Sequence, residues 1–118
     1  MRALLLPGMD GGAVLLDDFR RALLPDIAAE VLPYPPDLAR SYDDLEQLVG
    51  ERLAAAGGDT ALVAESFSGP LAIRIGASPP PNLRCIILVA TFDRPPAPRL
   101  WSYLAGSAMF HRPPPVGA

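Results

Sequence analysis

The chain has 118 residues, half of them hydrophobic and 19% charged, with a formal net charge of −3. That length suits one domain with a modest core, and that balance describes a soluble globular protein rather than a disordered one. All ten basic residues are arginine, and no basic patch or stripe argues for a nucleic-acid partner.

Residues 3–6, Ala-Leu-Leu-Leu, read as a short strand that is apolar on both faces, as strands of a two-layered parallel sheet are. Pro7-Gly8-Met9-Asp10-Gly11-Gly12 is then a flexible loop, and its Pro-Gly cuts the apolar N-terminus before a signal segment forms. The cytoplasm is the expected compartment. Helical spacing follows through Leu15, Phe19, Ala22 and Leu23, with Asp17, Asp18, Arg20 and Arg21 on the outer face; Pro25 ends it. Residues 27–32 are a second strand, closed by prolines 33, 35 and 36.

Ser41-Tyr42-Asp43-Asp44 starts a helix with a capping pattern. Leu45, Leu48, Val49, Leu53 and Ala56 form its apolar stripe, and Gly57-Gly58 its stop. Residues 60–64 are the third strand, and the helix after Ser66 carries Leu71, Ala72 and Ile75 before Gly76. Pro79-Pro80-Pro81 forces a loop, and residues 84–91 are the fourth and clearest strand. Its apolar run, residues 85–90, is far too short to span a bilayer. Cys85, the single cysteine, lies inside that run and reads as an inert buried thiol. No CxxC pair, HExxH or carboxylate–histidine cluster suggests a metal site, and no cofactor is expected.

Strand and helix alternate four times at a spacing of roughly 25 to 30 residues, the mark of an α/β fold. The expected architecture is a parallel four-stranded sheet with helices on both faces, spanning residues 1–92. In such a sheet the ligand crevice opens at the carboxyl ends of two strands from which the chain departs in opposite directions. If the first and third strands are neighbours, the loop at 7–12 and the turn at Ser66 meet there. Residues 93–118 break the rhythm with six prolines. Trp101, Leu104, Ala105, Ala108 and Met109 fall on one helical face within them, which suits a lid over the crevice or a helix packing on the sheet or a partner.

Ser66 is the candidate for chemistry. A strand that reverses into a helix within two residues crowds its backbone, so small residues are needed on either side, here Ala64 and Ser68 with Gly69 beyond. That geometry lifts the serine clear of the sheet in front of a helix N-terminus, where free N–H groups and the dipole favour negative charge. An ordinary helix N-cap is the competing reading of Ser66. Asp10 reads as a turn residue or a shaper of the loop, Glu65 as a structural carboxylate or one pointing into the crevice, and Ser68 as a small residue accommodated by packing rather than a second nucleophile.

Taken together, Ala64-Glu65-Ser66-Phe67-Ser68 resembles the G-x-S-x-G nucleophile elbow with both glycines replaced, and residues 4–11 resemble the oxyanion loop of the α/β-hydrolase superfamily with Pro7 in place of histidine. Residues 85–91 are similar to the strand that follows the elbow. The resemblance covers residues 2–92 and implies a partial α/β-hydrolase fold, the N-terminal portion of a serine esterase or thioesterase. It implies Ser66 as nucleophile, the backbone N–H groups of Phe67 and Met9 as the oxyanion hole, and acyl transfer to water through an acyl-serine on a small-molecule acyl substrate. The family's acid and histidine follow later strands, and the triad histidine is not evident in this chain. Asp93 and His111, the only histidine, are the local candidates for acid and base, and Ser66, Asp93 and His111 keep the family's order.

Two other readings stay open. One is a non-catalytic hydrolase-like module that keeps the crevice for a small apolar ligand. The other is a nucleotide-binding domain, although Gly8-Met9-Asp10-Gly11-Gly12 is neither G-x-G-x-x-G nor a Walker A loop. The apolar fourth strand would form a bare edge, so the chain is expected to self-associate or to continue into a further C-terminal half.

Overall fold

In the computed structural model of the protein the described residues are 1–8, 13–35 and 41–93, less the side chain of Leu15. Along them run β1 (Arg2–Leu6), α1 (Val14–Leu23), β2 (Ala28–Val31), α2 (Tyr42–Ala55), β3 (Thr60–Glu65), a 3₁₀ turn (Ser66–Ser68), α3 (Gly69–Ala77) and β4 (Leu83–Val89). The four strands form one sheet in the order β2-β1-β3-β4, and every pairing is parallel. This is the expected α/β class.

Strand side chains alternate between the two faces of a sheet, and that alternation divides the core in two. Leu4, Leu6, Leu62 and Ala64 join Leu45, Val49 and Leu53 of α2 and Leu71, Ala72 and Ile75 of α3 in the larger cluster. Ala3, Leu5 and Val63 form a smaller one, against which Leu16, Leu23 and Ile27 pack. The expected stripe of α1 is therefore corrected: Leu16 and Leu23 face the sheet, whereas Phe19 is 46% exposed and Ala22 is exposed too. Asp17 pairs with Arg20 and Arg21, each at 2.8 Å, so the charged side of α1 is where the spacing put it.

α2 begins as its sequence dictates. The Ser41 hydroxyl accepts from the Asp44 N–H at 3.3 Å and the Asp44 carboxylate accepts from the Ser41 N–H, a reciprocal capping box. It ends at Gly57, whose φ of +66° is the left-handed conformation that only glycine adopts without cost. α3 runs through Gly76 rather than stopping there. A Cβ on Gly76 would lie 2.8 Å from Ile86 Cδ1, so the glycine serves the close approach of helix to strand.

Cys85 is exposed, not the buried thiol that its apolar run suggests. It pairs with Ala61 in the parallel ladder, as Ile87 pairs with Val63, so it lies on the Val63 face of β4. There the smaller cluster gathers around β1 and β3 and includes no residue of β4. Among the described residues no helix is long and apolar enough to cross a membrane.

Candidate functional site

The chain leaves β1 toward β2 on one side of the sheet and leaves β3 toward β4 on the other. β1 and β3 are direct neighbours, with Leu6 level with Ala64. The topological switch point therefore lies between their carboxyl ends, where Pro7-Gly8 and Glu65-Ser66 emerge. The two segments do meet: a Cβ built on Gly8 would sit 3.7 Å from Ser66 Cβ and 3.6 Å from Glu65 Oε2.

Ser66 has a φ of 47°. A left-handed conformation in a residue with a Cβ costs about 1–2 kcal/mol and persists only where surrounding structure enforces it. Here it opens the 3₁₀ turn, between the extended Glu65 and the residues that lead into α3. Ser66 is not the N-cap of α3; that position belongs to Ser68, which makes no side-chain cap bond. The N-cap reading does not describe the turn.

Four side chains brace it. Ser68 is fully buried and its hydroxyl donates to the Pro7 carbonyl, tying the turn to the loop after β1. Since Ser68 has one hydroxyl proton, the bond between Ser68 Oγ and Tyr34 Oη must be donated by Tyr34. Burial raises the Tyr34 phenol well above the usual tyrosine range, which keeps that donor protonated. Tyr42 donates to the Phe67 carbonyl at 3.0 Å, and burial pushes its phenol up as well. The Phe67 ring is held between them, stacked on Tyr42 at 5.2 Å and edge-on to Tyr34 at 6.4 Å. From the far side, Thr91 Oγ1 donates to the Ser66 carbonyl, which also accepts from the Gly69 N–H.

The small-residue requirement of the turn is sharpest at Gly69. A Cβ there would lie 1.7 Å from Thr91 Oγ1 and 2.7 Å from Thr91 Cβ, a volume already filled. A second strained residue stands beside it: Ala90, after β4, has a φ of 46°. Two left-handed non-glycine residues at the carboxyl ends of adjacent strands mark this end of the sheet as the place where strain is concentrated.

Of the residues expected at the site, Ser66 and Phe67 lie at the switch point. Asp93 is exposed, two residues beyond Thr91, which contacts the turn. Met9, Asp10 and His111 lie outside the described residues. Tyr34, Tyr42 and Thr91 were not singled out by their spacing. Tyr34 and Thr91 nonetheless lie just beyond the carboxyl ends of β2 (Ala28–Val31) and β4 (Leu83–Val89), the strand ends from which an α/β crevice is built, and that position is a signal the sequence does carry.

No family model, no curated protein and no solved structure matches the chain.

Proposed function

We propose that the chain is the nucleophile-bearing core of a serine hydrolase of the α/β-hydrolase type, acting on a small ester or thioester. The observation that carries this reading is Ser66 at φ 47°, on a strand-to-helix turn at the switch point, facing the loop after β1. An ordinary connection has no need of a strained serine there; a nucleophile that must stand clear of the sheet does.

In this reading Ser66 Oγ attacks the substrate carbonyl carbon. The oxyanion that forms accepts hydrogen bonds from the Phe67 and Met9 N–H groups, each donor typically worth about 3 kcal/mol in the transition state. Collapse breaks the bond to the alkoxide or thiolate, which leaves with the proton taken from Ser66, and water then releases the acid from the acyl-serine. The triad histidine is not evident in this chain, and its own candidates to move that proton are His111 as base and Asp93 as acid. The test is a pre-steady-state assay with p-nitrophenyl acetate and butyrate. The reading predicts a burst of p-nitrophenol, a matching acyl adduct in the wild type, and neither in Ser66→Ala.

A second reading has one observation in its favour. A cavity of about 130 Å³ opens beside Glu65, lined by Leu6, Leu16, Phe19, Val63, Glu65 and Val89. A module that has kept the crevice without the chemistry would use such walls for a small apolar ligand. Binding of a short-chain fatty acid or its alcohol, undiminished in Ser66→Ala and with no acyl adduct on the wild type, would select this reading over the first.

A further inference from the structure

Leu6, Glu65 and Val89 are the last residues of β1, β3 and β4, and with Leu16 and Phe19 of α1 they line the cavity of about 130 Å³ at that end of the sheet. A cavity of about 150 Å³ with apolar walls holds benzene, which sets the body of a fitting ligand at about five or six carbon atoms. Phe19 and Val89 remain half exposed although they are two of the walls, so the described residues leave apolar surface there for a ligand to cover.

Five of the six lining residues are apolar, and Glu65 is the sixth. Its carboxylate folds toward the loop after β1. Oε2 lies 3.6 Å from a Cβ built on Gly8, and Ser66 Cβ lies 3.7 Å from the same point. Among the described residues the Glu65 side chain has no hydrogen-bond or ion-pair partner; Arg20 and Arg21 of α1 are both taken by Asp17. An ionised carboxylate can only accept, so the head group that suits it is a donor, and a charged donor makes the stronger bond. Apolar walls lower the local dielectric and strengthen that pairing. Phe19 adds an aromatic wall, and ring faces attract cations.

We propose that the cavity is a binding site for a small amphipathic amine. Its primary ammonium head pairs with the Glu65 carboxylate beside Ser66, and its body lies against Leu16, Phe19, Val63 and Val89. The proposal rests on the second reading above for the cavity as a ligand site, adds the charge, and does not depend on chemistry at Ser66.

The test is an NMR titration of the full chain, methyl-labelled at leucine and valine, at neutral pH. The probes are isopentylamine, which is cationic there, and isopentyl alcohol, its neutral counterpart. Shifts at the Leu16, Val63 and Val89 methyls report occupancy of the cavity, and the Leu53 and Leu71 methyls in the larger cluster report that each variant is folded. The amine should bind about tenfold more tightly than the alcohol. Glu65→Gln keeps the size and loses the charge, so the preference should fall to within about twofold. Val89→Phe, which fills the cavity from a half-exposed wall, should weaken both probes. Equal affinities for amine and alcohol in the wild type, or a preference that survives Glu65→Gln, would overturn the proposal and leave the apolar-ligand reading standing. An amine affinity unchanged in a folded Val89→Phe would place the amine elsewhere and overturn it too. If neither probe moves the cavity methyls, both the proposal and the apolar-ligand reading fail.

Discussion

β3 and β4 lie side by side in the sheet, yet the more apolar of the two is the less buried. β3 reads Thr-Ala-Leu-Val-Ala-Glu and buries every residue but the last; β4 reads Leu-Arg-Cys-Ile-Ile-Leu-Val and buries none. Ile87, Leu88 and Val89 are exposed to 49%, 46% and 44%. The difference lies in their neighbours. β3 is flanked by β1 and β4 and contributes to both apolar clusters, whereas among the described residues β4 pairs on one side only and meets the larger cluster through Leu83 and Ile86. Apolar content makes a strand; its position in the sheet decides how much of it is covered. At their carboxyl ends the two strands converge again, each followed by a left-handed residue, Ser66 and Ala90, with Thr91 bridging back to the turn.

If that contrast is right, truncation should cost far more in β3 than in β4. Leu62→Ala empties a fully buried site in the larger cluster and should lower stability by about 3 kcal/mol in urea unfolding. A loss under 1 kcal/mol would mean that β3 is not the centre of the core. Gly69→Ala tests the bridge between the strand ends. Its Cβ has no room beside Thr91, so it should destabilise by about 2 kcal/mol, and Thr91→Ala in the same chain should recover part of that loss.

Next in size is the pH response of the turn. Burial raises the Tyr34 phenol above its ordinary value of 10.0, and Tyr42 moves in the same direction. A group whose folded-state value is raised contributes stability that is complete below its unfolded value and is lost as pH rises past it. Thermal melts should therefore fall as pH climbs above about 10, and Tyr34→Phe should flatten part of that fall, leaving the part due to Tyr42. An identical alkaline slope in the variant would show that the phenol is not held neutral by its site. Smallest of all, Ile87→Ala should cost under about 1 kcal/mol because the site is half exposed already. Ile87→Arg should also lower any self-association seen by sedimentation at micromolar concentration, since charge on an exposed edge strand opposes recruitment of another chain.

The same contrast separates what was legible in the sequence from what was not. The four strands, and the start of α2, depend on local pattern. Ser41 and Asp44 cap each other within one turn, and Gly57 stops the helix through its own backbone. The turn at Ser66 was visible because crowding between a strand and a helix restricts the residues beside it. What escaped depends on contacts between distant segments. Cys85 sits in an apolar run but on a face that the sheet order leaves open. α1 offered more than one apolar arc, and only its docking on Leu5 and Val63 selected Leu16 over Phe19. Gly76 looked like a helix stop because its role is set by Ile86, across the gap between α3 and β4. Tyr34 and Thr91 reach the turn from 34 and 25 residues away in the chain, a distance over which no periodicity carries information.

The central claim is that the strained Ser66 is a nucleophile, and intact-mass labelling with a fluorophosphonate tests it most directly. On the purified chain, shown by circular dichroism to be folded, the account predicts one adduct in the wild type and none in Ser66→Ala. A folded wild type that stays unlabelled, or an equal adduct on Ser66→Ala, would contradict it.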